Sequence, residues 1–87
     1  MAPKILVADD EDGVRWVLEK GLREAGYDVA AVKDGETALR RAEAEPYDLM
    51  FLDVRMPGLD GLTVLQRLRA SRPDALVIVM SAHGTME

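Results

Sequence analysis

Four short apolar runs, Ile5 to Ala8, Val29 to Val32, Leu49 to Leu52 and Leu76 to Met80, alternate with stretches of helical periodicity. Each run has the length of a strand, and three are nearly unbroken, as expected of strands covered on both faces. Between the first two, Val14, Val17, Leu18, Leu22 and Ala25 recur on one helical face, and Gly26 supplies a left-handed stop. Asp34 is placed to cap a second helix that buries Ala38, Leu39 and Ala42, with Pro46 beyond its end. A third helix starts near Gly61, buries Leu62, Leu65 and Leu68, and is followed by Pro73. The order is βαβαβαβ. Short connections and right-handed crossovers make this an α/β three-layer sandwich, a parallel sheet with helices on both faces.

Composition narrows the class. At 87 residues with 48% apolar content the chain has room for one globular domain. Zero cysteines exclude disulfides, thiolate metal sites and cysteine nucleophiles, and permit a reducing compartment. The first apolar run is too short for a signal peptide, and no run spans a membrane. A net charge of −5 opposes binding to nucleic acid or anionic lipid. The candidate basic patch, Arg67, Arg69 and Arg72, falls at a helix end, where cations suit the macrodipole.

The acids fall where chemistry is expected. In open parallel sheets, functional groups gather beyond the carboxyl ends of the strands. The first strand runs into Asp9-Asp10-Glu11-Asp12 and the third into Asp53. If those strands are neighbours, Asp9, Asp10 and Asp53 meet in one pocket. Carboxylates so close repel unless a cation or protons intervene. An all-oxygen set with few carboxylates suits Mg2+ better than zinc or calcium, and a carboxylate beside bound Mg2+ can attack a phosphoryl group, giving an aspartyl phosphate. Acids at strand ends also cap helices, which is sufficient for Asp12. For Asp53 that reading is weaker, because Val54-Arg-Met-Pro-Gly does not start a helix. His83 has no second ligand in view and reads as a loop or helix-start residue, and Trp16, beside the first helix's apolar stripe, reads as packing.

Three segments now resemble a known family. Lys4-Ile-Leu-Val-Ala-Asp9-Asp10-Glu11, Leu52-Asp53-Val-Arg-Met-Pro57-Gly-Leu-Asp-Gly61 and Val77-Ile-Val-Met-Ser81-Ala82-His83 look like the receiver domain of bacterial two-component response regulators. Val14-Arg-Trp-Val-Leu-Glu19, Arg55-Met-Pro-Gly and Ser81-Ala-His look most like receivers of the NtrC class of transcription activators. The resemblance implies a flavodoxin-like sheet of order 2-1-3-4-5. It implies that Asp53 is the phosphoacceptor, that Asp10 binds Mg2+ directly while Asp9 assists, mostly through water, and that Arg55 adds its backbone carbonyl. Ser81 matches the family's switch hydroxyl, although a Ser before Ala-His-Gly could also be an ordinary cap. Pro57, Gly58 and Gly61 shape the loop beside the acceptor, with loop geometry a sufficient explanation for each. The implied partners are a sensor histidine kinase and an output domain, in the cytoplasm, with no direct contact to nucleic acid or membrane.

The chain departs from the family in one large respect. A complete receiver has a fifth strand, a fifth helix and a Lys at that strand's end. Residues 1–87 stop after the fourth strand, so the expectation is a single, incomplete receiver domain of order 2-1-3-4 with the fifth βα unit missing. Lys4, Lys20 and Lys33 do not stand where that Lys would. Phosphotransfer is expected to suffer, and the exposed fourth strand is expected to make the chain a homo-oligomer. Two other classes compete: an associating fragment without phosphotransfer, and a phosphohydrolase of the haloacid-dehalogenase type. The latter expects an Asp where Arg55 stands. A nucleotide-binding module lacks its glycine motifs.

Overall fold

The computed structural model describes residues 2–81. The elements are β1 (Lys4–Ala8), α1 (Asp12–Glu24), β2 (Asp28–Val32), α2 (Gly35–Ala44), β3 (Leu49–Asp53), α3 (Gly61–Ser71) and β4 (Val77–Met80). All strand pairs are parallel and the sheet order is β2-β1-β3-β4. The expected order, layers and element count all hold.

The side-chain alternation of β1 sorts the core into two layers. Leu6 and Ala8 face α2 and α3, joining Ala38, Ala42, Met50, Leu52, Val64 and Leu68, while Ile5 and Val7 join Val29 on the other face, under Leu18 and Leu22 of α1. The layers are unequal. Two helices press on the first face, and α1 alone covers the second.

That inequality corrects two expectations, and the phase of α3 corrects a third. No residue of α1 is fully buried, and Val17 is 61% exposed, because α1 lies over β1 and β2 and its Val17 side faces past them. Val14, Val17, Leu18 and Met80 line an open apolar groove of about 610 Å³ there. Trp16 is equally exposed and does not pack in the core, since it stands on the outer side of α1, where the Lys20 ammonium lies 5.7 Å from its ring centre. In α3 the buried stripe is Gly61, Val64 and Leu68, spaced i, i+3, i+7, which leaves Leu62 half exposed.

The ends of the helices are fixed by local bonds. Gly26 takes φ 101°, the left-handed stop expected of it. Asp34 and Asp60 cap α2 and α3, accepting from the N–H of Thr37 at 2.7 Å and of Thr63 at 2.8 Å. Asp12 does not cap α1: Glu11 is the N-cap residue, without a side-chain bond, and Asp12 pairs with Arg15 inside the first turn. The arginines at the end of α3 cap backbone carbonyls: Arg69 donates to Pro73 and Ala75, and Arg72 reaches the carbonyls of Ala42 and Glu43 on α2.

The Thr37 backbone and hydroxyl hold the Asp34 carboxyl below its ordinary value. Its folded-state pKa is depressed, so its contribution is complete above the unfolded value of about 3.9 and fades as pH falls through the lower folded value. Asp34→Ala should cost about 1 kcal/mol at pH 7. Urea melts should show that gap narrowing as pH falls below the unfolded value of about 3.9.

Candidate functional site

The parallel register carries the acids to one place. Ala8 is level with Leu52, so the residues that follow, Asp9 and Asp53, leave the sheet side by side. One carboxylate oxygen from each of Asp9, Asp10 and Asp53 lies within 4.8 Å of the others. Asp9 and Asp53 are 1% and 3% exposed, whereas Asp10 faces solvent. The pocket is therefore closed from below and open at one side.

Each buried acid is tied to the backbone. The Asp9 carboxylate accepts from the Glu11 N–H at 2.9 Å, and its own N–H donates to the Val32 carbonyl, continuing the β1–β2 ladder one residue further. Asp53 accepts a long bond, 3.4 Å, from the Arg55 N–H. Beside it, Gly61 opens α3 directly against the Asp53 backbone: its N–H donates to the Val54 carbonyl, and a Cβ at Gly61 would stand 2.3 Å from the Asp53 carbonyl oxygen. Gly61 is thus required by close approach as well as by the loop. Gly58, at φ 76°, supplies the turn, and Met56, almost fully buried, pins the same loop into the core. The motif around Asp53 carried no separate signal for Met56, because an apolar residue in a loop cannot be assigned a side by periodicity.

The electrostatics follow from the crowding. Burial raises the Asp53 pKa above the ordinary carboxylate value, and the charge of Asp9 raises it further, against the opposing bond from Arg55. The donor set fits a hard divalent cation: three carboxylates, all-oxygen, two of them buried and one exposed. Ser81 follows Met80, the register partner of Asp53, and so stands at the same end of the sheet. The bond from the Val54 N–H to the Met80 carbonyl, 2.8 Å, links the two strands at that level. Arg55 is exposed two residues beyond Asp53. His83 lies outside the described residues.

The response regulator receiver domain family matches residues 5–87. The chain belongs to this family. Among its relatives, PrrA of Mycobacterium tuberculosis is 43% identical over 86 residues, and NtrC of Escherichia coli 35% over 83. The alignments cover 99% and 95% of this chain but 37% and 18% of those proteins, so the receiver spans little more than a third of the relatives at most. An NtrC likeness is present but does not exceed that to PrrA. Among solved structures, the receiver is similar to TrrA of Thermotoga maritima in complex with Mg(2+)-BeF, with 39% identity, a TM-score of 0.89 and coverage of 97% of this chain and 72% of that one. TrrA in complex with the histidine kinase ThkA matches with 38% identity and a TM-score of 0.88, over all of this chain and 74% of that one.

The raised Asp53 value has a consequence for stability. The folded receiver binds this proton more tightly than the unfolded chain, so stability falls as pH rises from the unfolded pKa through the higher folded one, and a cost is present at neutral pH. Asp53→Asn should therefore raise Tm at pH 7 in metal-free buffer. Calorimetry should show the gain shrinking as pH falls toward about 3.9.

Proposed function

We propose that this receiver accepts a phosphoryl group on Asp53 from the phosphohistidine of a sensor histidine kinase, in a transfer that depends on Mg2+. The observation that carries the reading is the grouping of Asp9, Asp10 and Asp53, two of them buried, in a chain of the receiver family. An Asp53 carboxylate oxygen attacks phosphorus; the P–N bond breaks as the P–O bond forms, and the imidazole departs. Asp10 and Asp53 would hold the Mg2+, with Asp9 assisting and the Arg55 carbonyl adding an oxygen, and the ion would supply positive charge to neutralise the transferring oxygens. The Ser81 hydroxyl then donates to the new phosphoryl group, drawing the end of β4 toward β3. An output domain elsewhere in the protein reads that displacement. The domain's role is regulatory. A haloacid-dehalogenase-type hydrolase is disfavoured by Arg55, which supplies no general acid where that chemistry uses an Asp.

Acetyl phosphate with Mg2+ should add one phosphoryl group to the chain, detected as an intact mass increase and mapped to Asp53. Asp53→Asn should abolish it, and Asp10→Ala should reduce it about tenfold or more. Labelling that survives Asp53→Asn, or that ignores Mg2+ removal, overturns the assignment.

We also propose that the chain self-associates through β4. The two sheet edges differ. On β2, Arg23 donates to the Val29 carbonyl at 3.0 Å, and Lys33 follows the strand, so that edge is guarded by charge. On β4 the Leu76 and Met80 carbonyls face β3, which turns the N–H and C=O groups of Val77 and Val79 outward. Among the described residues β4 has a partner strand on one side only, and it contains neither charge nor Pro. Light scattering over a dilution series should show a concentration-dependent dimer that Val77→Lys and Val79→Lys dissociate. A monomer at every concentration refutes the pairing.

A further inference from the structure

Among the described residues Arg15 is the one cation that bonds to the backbone of the acidic turn. β1 ends at Ala8 and α1 begins at Asp12, so Asp9, Asp10 and Glu11 alone make the connection. Within it the N–H and carboxylate of Asp9 are already committed, to the Val32 carbonyl and the Glu11 N–H. Its carbonyl accepts from Arg15 Nη1 at 2.8 Å, and the other arm of the same guanidinium pairs with the Asp12 carboxylate. The Arg15 side chain is 19% exposed, unlike Asp12 at 89%.

That carbonyl belongs to the peptide joining Asp9 to Asp10. The peptide is planar, so a bond that fixes the direction of the Asp9 oxygen also fixes the N–H and Cα of Asp10. Asp10 is otherwise the least constrained of the three acids, exposed at the apex of a three-residue turn. We propose that Arg15 is a positioning residue for the acidic site: by holding the Asp9 carbonyl it sets the Asp9–Asp10 peptide plane and aims the Asp10 carboxylate at Asp53. The inference rests on the reading of the three acids as a divalent-cation site. A surface i,i+3 pair with Asp12 alone would contribute little; the bond to the turn is what gives Arg15 a role. The planar fork suits it, because two donors leave the guanidinium in fixed, divergent directions, whereas a Lys ammonium offers no such fork. Asp12, in turn, steers the arginine.

The test is Mg2+ affinity, followed by the amide shifts of Glu11 and Val54, together with hydrogen exchange of the Glu11 amide in the metal-free chain. Arg15→Met should weaken Mg2+ binding about tenfold, as expected for loss of an outer hydrogen bond to a ligand-bearing group, and should speed exchange at Glu11. Arg15→Lys should fall between Arg15→Met and the parent, and it serves as the folded variant if Arg15→Met fails to fold. Asp34→Ala, which weakens a cap far along the chain, is the stability control and should leave affinity unchanged. Parent-like affinity in Arg15→Met, or in Arg15→Lys should that variant be needed, overturns the positioning role; so does an equal loss in Asp34→Ala. Asp10→Ala separates the two readings. If it binds Mg2+ like the parent, the cation site itself is wrong, whereas loss in Asp10→Ala with none in the Arg15 variants removes only Arg15.

Discussion

Three carboxylates held within 4.8 Å, two of them out of water, are the arrangement on which the rest of this fold bears. Like charges at that distance push apart, and burial adds its own penalty on the charged form. The two buried ones stay together because neither is free to move away. Asp9 is held by β2 through its N–H, by Glu11 through its carboxylate and by Arg15 through its carbonyl. Asp53 is the last residue of a strand flanked on both sides, and Gly61 presses α3 against its backbone. The site is a consequence of parallel pairing: the register that sets Ala8 beside Leu52 leaves the next residues no other place to go.

Much of this was legible in the chain. The four apolar runs, the strand order implied by the family likeness and the convergence of Asp9, Asp10 and Asp53 needed only periodicity and the rule that strand ends carry function. Two of the corrected expectations share a cause. Val17 and Trp16 are apolar in character, but burial depends on what lies opposite, and α1 faces a sheet that it covers on two strands only. A stripe of period 3.6 shows that a face is apolar, not how wide its partner is. For Leu62 the stripe was misphased by one position, because Gly61 and Val64 are less conspicuous than three leucines.

The roles of Gly61 and Arg15 were illegible for a different reason. Both act on main-chain atoms, Gly61 by yielding space to the Asp53 carbonyl and Arg15 by bonding to that of Asp9. Sequence patterns report which side chains share a face. They do not report which carbonyl needs a donor, so a glycine reads as a turn and an arginine on a helix reads as solvated charge.

The two faces of the sheet also divide the labour. The face under α2 and α3 holds the larger core cluster and is locked by caps at Asp34 and Asp60 and by the bonds from Arg72 to α2. The face under α1 is thin and ends in the groove beside Met80, close to the level at which the Val54 N–H meets the Met80 carbonyl. Burial and the neighbouring Asp9 charge raise the pKa of Asp53, so the folded, metal-free chain carries a cost at neutral pH that a cation would offset if it bound there. A cation that recognises only the assembled acids stabilises the folded state by its own binding free energy. The crowding that weakens the metal-free fold is therefore what gives the site its demand for positive charge.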